Sequence, residues 1–206
     1  MSDKELLEGL NVSRETIERL EKFEEVLLKW NPRINLVSKN SLADLWQRHI
    51  VDSVQVFTCV KDPGESWVDI GSGGGFPGIV VGIMAAEYSP KTKVTLIESD
   101  QRKSAFLRTA ARECGVPITV LNQRIEQAEP QKAQVLSARA VADLDALLEF
   151  SERHLAENGM AVFPKGASWK KEVDKAAERW RFDVEPTTSL TETEAVILKI
   201  KGVTRA

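Results

Sequence analysis

Cysteine, histidine and tyrosine are all scarce: two, two and one in 206 residues. Cys59 and Cys114 stand far apart with no metal-ligand spacing around either, so the sequence supports neither a disulfide framework nor a thiolate metal site. His49 and His154 are too few for a histidine-rich site, and no protein-bound metal is expected. Tyr88 is followed four residues later by Thr92, so the Tyr-x-x-x-Lys pair of many hydride-transfer enzymes is missing. Long apolar runs are missing too. The longest uncharged stretch, Ile70 to Ala86, holds six glycines and a proline and is not a membrane span. Met1 to Glu8 carries Asp3, Lys4, Glu5 and Glu8 and has no apolar core of leader type. These absences point to a cytoplasmic protein. The net charge of −3 and pI near 5.6 exclude a uniformly basic nucleic-acid binder but leave a local basic face open. With 42% hydrophobic and 29% charged residues, the composition is that of an ordinary globular protein. A chain of this size buries about 70% of its unfolded surface, enough for a sizeable core.

Hydrophobic spacing divides the chain into two parts. Over residues 13–30, Ile17, Leu20, Phe23, Leu27 and Trp30 recur at three- and four-residue steps. That predicts a helix capped by Ser13 and ended by Asn31-Pro32. Residues 41–58 predict a second helix with Leu42, Leu45, Trp46, His49, Ile50, Val54 and Phe57 on one face, and with Asp44–Arg48 and Arg48–Asp52 spaced for ion pairs. Asp62-Pro63-Gly64 reads as a turn.

From Trp67 onward, short strands alternate with helices. Strands are expected at Trp67–Ile70, Val94–Ile97, Ile118–Leu121, Val135–Ser137 and Met160–Phe163. Helices are expected up to about Glu87, over Gln101–Cys114, and over residues 143–156 and 168–180. This alternation argues for a parallel sheet covered on both faces. Two late strands, about 181–185 and 195–200, have no long helix between them and suit an antiparallel hairpin at the sheet edge. The expected organisation is a helical extension over residues 1–65 and an α/β domain over 66–206, forming one compact unit.

The most informative stretch is Trp67-Val68-Asp69-Ile70-Gly71-Ser72-Gly73-Gly74-Gly75-Phe76-Pro77-Gly78, a strand running through a glycine-rich turn into a helix. Such a turn lets the backbone approach a ligand closely, and the helix N-terminus favours an anionic group. Two ligands compete for it. Gly73 to Gly78 satisfies the dinucleotide pattern G-x-G-x-x-G, with Glu98 following 20 residues after Gly78. Asp69-x-Gly71-x-Gly73-x-Gly75 instead resembles the first motif of S-adenosylmethionine-dependent methyltransferases. In that reading Asp69 faces the cofactor's amino-acid end, directly or through water. In both readings Glu98, ending the second strand, is placed to accept hydrogen bonds from ribose hydroxyls. Ile125-Glu126, after the third strand, is placed to hold an adenine ring and its amino group.

Other candidates have competing bland readings. His49 sits on an apolar face, where a histidine is ordinarily a packed core residue. The alternative is that its helix, with Asp52, lines the substrate or cofactor side. Residues 165–181 hold Lys165, Lys170, Lys171, Lys175, Arg179 and Arg181 against Glu172, Asp174 and Glu178. This is either a basic nucleic-acid face or a solvated helix. Arg33, Lys39 and Arg48 add cations nearer the N-terminus.

Taken together, these residues resemble one family over nearly the whole chain, about Phe23 to Ile200: the RsmG (GidB) 16S ribosomal RNA methyltransferases. The matching pieces are Lys29-Trp30-Asn31 with Asn35-Leu36, Arg48-His49-Ile50-Val51-Asp52-Ser53, the Asp69–Gly78 loop, Glu98 with Lys103 and Phe106-Leu107, Ser137-Ala138-Arg139-Ala140, and Lys165-Gly166. The Arg-His-x-x-Asp-Ser element combined with the glycine-rich loop is the specific part. The resemblance implies a Rossmann-like class I methyltransferase, with a seven-stranded, mostly parallel sheet, an antiparallel edge strand and an N-terminal helical addition. It implies methyl transfer from S-adenosylmethionine to N7 of guanine 527 of 16S rRNA, in the 30S subunit or an assembly intermediate; a monomer is expected. The cofactor contacts it implies are Gly71, Gly73, Phe76, Glu98, Ile125, Glu126 and Arg139. The RNA-contacting candidates are Arg33, Arg48, Lys165, Lys170 and Lys171.

Guanine N7 already carries an in-plane lone pair, so no general base is needed and positioning suffices. The chain also lacks the Asn/Asp-Pro-Pro-aromatic motif common in methylation of base amines, and the motifs around a nucleophilic cysteine. Arg139 is expected at the substrate base, contacting the cofactor or guanine O6 so that N7 stays free. Two other functions remain open: a NAD-dependent oxidoreductase, and a non-catalytic module binding S-adenosylmethionine or RNA.

Overall fold

The computed structural model describes Leu7 and residues 9–206. The reading of Met1–Glu8 as lacking a leader falls almost wholly outside these residues. Helix α1 (Arg14–Ile34) begins as its sequence dictates, with the Ser13 hydroxyl oxygen accepting the Thr16 N–H. It does not stop at Asn31-Pro32, as expected, but carries Pro32 inside its last turn. The carbonyl that proline cannot pair belongs to Leu28, a residue on the exposed face of the helix. Asn35, at φ 51°, ends the helix, and its N–H donates to the Asn31 carbonyl.

The Asn31 side chain then organises the next turn. Its Oδ1 accepts the N–H groups of both Leu36 (2.7 Å) and Val37 (2.9 Å). The turn so held presents the Leu36 carbonyl to Gly74. A Cβ at Gly74 would lie 2.9 Å from that oxygen, so only glycine allows the approach.

The single helix expected over 41–58 is broken into three pieces. These are α2 (Lys39–Leu42), a π-helical turn (Trp46–Val51) and α3 (Asp52–Thr58). The π turn changes which side chains align, and among the described residues neither Asp44–Arg48 nor Arg48–Asp52 forms an ion pair. Arg48 and His49 project from this turn.

The sheet comprises β1 (Ser66–Ile70), β2 (Lys93–Ile97), β3 (Ile118–Leu121), β4 (Ala133–Ser137), β5 (Leu155–Lys165), β6 (Trp180–Thr188) and β7 (Val196–Arg205). Their order is β3-β2-β1-β4-β5-β7-β6, parallel throughout except for β7, which runs antiparallel to both β5 and β6. The late hairpin forms at the edge as expected, but the antiparallel strand β7 lies one place inside and β6 makes the rim. Both hairpin strands and β5 are longer than the apolar patches that revealed them. Helices α4 (Gly78–Tyr88), α5 (Gln101–Glu113), α6 (Leu144–His154) and α7 (Trp169–Ala176) complete the layers. Strand order reverses between β1 and β4, which opens a crevice at the carboxyl ends of these strands.

One core cluster runs from Leu20, Phe23 and Leu27 of α1 to Phe76, Phe106 and Trp67. The Phe23 ring lies 5.1 Å from Phe76 and 6.4 Å from Phe106. Among the described residues, no helix is long and apolar enough to cross a membrane.

Replacing Asn31 by alanine leaves two backbone donors without their acceptor and is expected to cost about 1–3 kcal/mol in denaturant unfolding. Asn31→Asp keeps the acceptor oxygen and should recover most of the loss. An alanine variant as stable as the wild type would show that Oδ1 does not hold the turn.

Candidate active site

Asp69 is the first departure from expectation. It is fully buried, and its Oδ1 accepts the Ser137 hydroxyl (2.7 Å), whose oxygen accepts the Trp67 indole N–H (2.9 Å). Asp69 and Ser137 are direct partners across β1 and β4, so this network ties the two strands together at the crevice. The other oxygen, Oδ2, is buried without a hydrogen-bond partner, beside Gly78. Burial pushes the carboxyl up to about 6. Asp69 is therefore a strut behind the glycine-rich loop and does not line the cavity that the loop bounds.

That cavity, of about 330 Å³, is lined by Gly71, Glu98, Ile125, Glu126, Val141 and Phe150, among others. It brings together four of the residues expected as cofactor contacts. Glu98 accepts the N–H of Gly73 (2.9 Å) through Oε2 and that of Asp100 (2.7 Å) through Oε1. Gly73, itself a candidate, thus meets the site through Glu98. Each carboxylate oxygen retains a lone-pair direction for a further donor. A Cβ at Gly71 would collide with Val141 and drive it into the cavity. Behind Ile125, His154 is fully buried, and its Nε2–H donates to the Ile125 carbonyl (2.9 Å). Arg153 donates to the Ala128 carbonyl (2.8 Å). The last turn of α6 therefore holds the Ile125–Ala128 loop. His154, Val141 and Phe150 escape a sequence reading because single apolar or isolated residues carry no motif.

Phe76 is not part of this cavity. Its ring is buried between Phe23 and His49, with the His49 ring stacked on it at 5.0 Å. The Arg139 guanidinium lies over the same ring, 5.2 Å from its centre. Arg139 donates to the Arg48 carbonyl (3.0 Å) and its Nη2 lies 2.6 Å from His49 Nδ1. A guanidinium only donates, so Nδ1 is the acceptor and the ring proton sits on Nε2. That nitrogen is buried without a partner. Burial, then the charges of Arg139 and Arg48, hold the imidazole down at about 4. Burial lowers the guanidinium to about 10, which leaves it charged at neutral pH.

Arg139 lines two further cavities, of about 290 and 670 Å³. Asp52, Ala140 and Glu192 line both as well. The 290 Å³ cavity meets the 330 Å³ cavity at Ala142. Residues 139–142 are therefore the wall between two chambers. The wall is stiffened by Ala140, held at φ 54°, and by Lys165, whose Nζ donates to the Ala142 carbonyl (3.2 Å) and to Glu172 (2.8 Å). The sequence places Lys165 among the RNA contacts. Its side chain is only 10% exposed and already ion-paired, so it supports the wall instead.

The remaining cations are dispersed. Arg48 lies exposed at the rim of the 670 Å³ cavity, and Lys170 and Lys171 are exposed on α7. Arg33 lies in a separate groove between α1 and α5, with Lys22, Lys29 and Arg112. Neither cysteine is primed for attack, because burial pushes Cys59 up to about 11 and Cys114 up to about 12.

The imidazole geometry sets a pH dependence. The unfolded chain takes up the histidine proton near 6.5 and the folded chain near 4, so this contribution to stability is lost as pH falls through that window. A His49 ring resonance should titrate with a midpoint near 4. In Arg139→Ala the midpoint should rise, yet stay below 6.5, because burial is the larger cause. An unchanged midpoint would remove the electrostatic link between the two side chains.

Comparison with known proteins agrees with this geometry. Among solved structures of similar fold are a predicted O-methyltransferase, protein Atu636 of Agrobacterium tumefaciens, and a TehB-like SAM-dependent methyltransferase of Corynebacterium glutamicum. The first has a TM-score of 0.58 at 16% identity, covering 73% of this chain and 81% of the other. The second has a TM-score of 0.55 at 12% identity, covering 79% and 92%. Proteins named ribosomal RNA small subunit methyltransferase G from Ruegeria sp. strain TM1040 and Ruegeria pomeroyi are 66% and 61% identical over 196 residues. These alignments cover 95% of this chain and 95% and 96% of the relatives. The GidB family model, described as rRNA small subunit methyltransferase G, matches residues 16–200, and this chain therefore belongs to that family.

Proposed function

We propose that this chain transfers a methyl group from S-adenosylmethionine to N7 of guanine 527 of 16S rRNA, presented by the 30S subunit or its precursor. One observation carries the reading: two chambers at the carboxyl ends of the strands share a wall that bears a charged, anchored Arg139.

The 330 Å³ chamber fits the methyl donor. Its apolar walls, Ile125, Val141 and Phe150, suit a nucleoside base, and Glu98 has acceptor capacity left for ribose hydroxyls. When bound, S-adenosylmethionine supplies an electrophilic sulfonium methyl. The chain's own task is placement. Arg139 directs its remaining N–H donors to guanine O6, which orients the base and leaves the N7 lone pair unobstructed. No side chain has to remove a proton, in keeping with a site whose imidazole is neutral and already engaged by Arg139. Arg48, Lys170 and Lys171 contribute positive charge toward RNA phosphates, with Arg33 as a more distant contact.

The test is transfer of labelled methyl to 30S subunits lacking the modification, with cleavage at 7-methylguanine locating the product. One labelled guanine is expected. Arg139→Ala should lower the rate by about 100-fold, the range for loss of one oriented donor. Glu98→Gln should weaken S-adenosylmethionine binding by about tenfold, the loss of a charge-assisted bond. Lys170→Glu with Lys171→Glu should raise the KM for RNA with cofactor affinity unchanged. Wild-type kinetics in Arg139→Ala would overturn its role. Cofactor binding without transfer to an otherwise active substrate would favour the non-catalytic module.

A further inference from the structure

Asp52 and Arg139 face the same two cavities and feel each other's charge, yet no hydrogen bond or ion pair joins them. Each is held by neutral partners instead. Arg139 is anchored by the Arg48 carbonyl and His49 Nδ1. Asp52 Oδ1 accepts the Thr191 hydroxyl and the Gln55 amide N–H, and the Gln55 amide oxygen in turn accepts the Leu190 N–H (2.8 Å). This clamps one carboxylate oxygen and leaves Oδ2 without a hydrogen bond among the described residues. A half-buried cation and a half-buried anion are thus presented side by side to an open chamber, fixed in place and not neutralised by each other.

A ligand that satisfies both must offer an acceptor to the guanidinium and adjacent donors to the carboxylate. Among the bases, guanine has that order along one edge: O6, then N1–H, then the 2-amino group. Adenine reverses it, turning an amino group toward Arg139 and a bare ring nitrogen toward Asp52. We propose that Asp52 is the base-specificity residue, its free oxygen accepting from guanine N1–H and the 2-amino group while Arg139 donates to O6. The proposal rests on the guanine-N7 reading above. It adds that the protein reads the Watson–Crick edge, so that the N7 lone pair on the opposite edge is left without a protein bond. Glu192 lines the same cavities but is exposed and lacks the paired anchoring of Asp52, so it is not assigned this role.

Inosine isolates the contact, because it keeps N7, O6 and N1–H and lacks only the 2-amino group. The substrates are 30S subunits reconstituted around 16S rRNA carrying guanine or inosine at the target position. The wild type should favour guanine over inosine in kcat/KM by about tenfold or more, as a charge-assisted hydrogen bond predicts. In Asp52→Asn, with S-adenosylmethionine binding monitored in parallel, that ratio should fall toward one. Thr191→Val, which removes a bond to Oδ1 but keeps the carboxylate, should preserve guanine preference whatever it does to the absolute rate.

A purely structural Asp52 would slow both substrates equally and leave the ratio intact, which overturns the proposal. A wild type indifferent to inosine, or a ratio that collapses in Glu192→Gln and not in Asp52→Asn, overturns it as well. A wild type that binds S-adenosylmethionine and methylates no guanine removes the guanine-N7 reading itself, and with it this proposal.

Discussion

Arg139 meets two acceptors that carry no charge, His49 Nδ1 and the Arg48 carbonyl, and lies across the face of Phe76. The arrangement holds only while His49 is neutral. A protonated imidazole would turn an N–H toward the guanidinium, and the clamp would become a repulsion. Burial keeps the ring neutral first, then the field of the arginine it binds, with Arg48 adding to it. The clamp is therefore self-consistent, since the cation it holds is one reason the holder does not ionise. With neutral partners, the guanidinium keeps its full charge for a ligand. An ion pair with Asp52 would have cancelled that charge.

The clamp depends in turn on the N-terminal helices. Phe76 is fixed from behind by Phe23 of α1, and His49 and Arg48 come from the π turn between α2 and α3. Asn31 holds the Leu36–Val37 turn against the glycine-rich loop, where Gly74 has no Cβ to obstruct it. These segments share one apolar cluster with the sheet, so their burial is the main force that brings the π turn to the end of β4. Both hydrogen-bond partners that anchor Arg139 come from the π turn and not from the sheet. The helical layer thus holds the guanidinium in place, which is the form that preorganisation takes in this molecule.

The parts legible in the sequence are those written as periodicity or as a run. The alternation of strands and helices, the cap at Ser13, the hairpin after α7 and the glycine-rich turn each leave a local pattern and each is present, although α6 stops at His154 and α7 at Ala176, short of the expected 156 and 180, where β5 and β6 take over the chain. What local pattern does not show shares a cause: the deciding contact lies far away along the chain. Asp69 resembles a ligand of the cofactor by position, but its bond to Ser137 on the neighbouring strand takes it out of the cavity. Lys165 belongs to a basic run, but Glu172 and the Ala142 carbonyl draw it inward. Phe76 sits in a motif for cofactor binding, and its aromatic neighbours from α1 and the π turn also make its ring a platform under Arg139. His49 looks like core in the sequence because its apolar neighbours there are core. The π turn, which spacing arithmetic based on the α-helix does not anticipate, is what turns it toward Arg139.

The segment from Arg139 to Ala142 is the wall between the two chambers. It is short, it separates the 330 Å³ chamber from the 290 Å³ chamber, and its conformation is imposed from outside. Ala140 adopts a left-handed backbone that a free chain rarely visits. Lys165 bonds the Ala142 carbonyl, and Glu172, paired with that lysine, accepts the Leu144 N–H at 3.1 Å. A displacement at carbon needs nucleophile, methyl and leaving sulfur close to one line, and error in either partner's position is paid in rate. A wall pinned at both ends fixes both chambers relative to each other, so alignment is inherited from the fold. On the proposed guanine-N7 reading, the acid–base repertoire that the sequence lacks is not missing: a lone pair already exposed on the acceptor needs direction, and Arg139 with its neutral partners is placed to supply it.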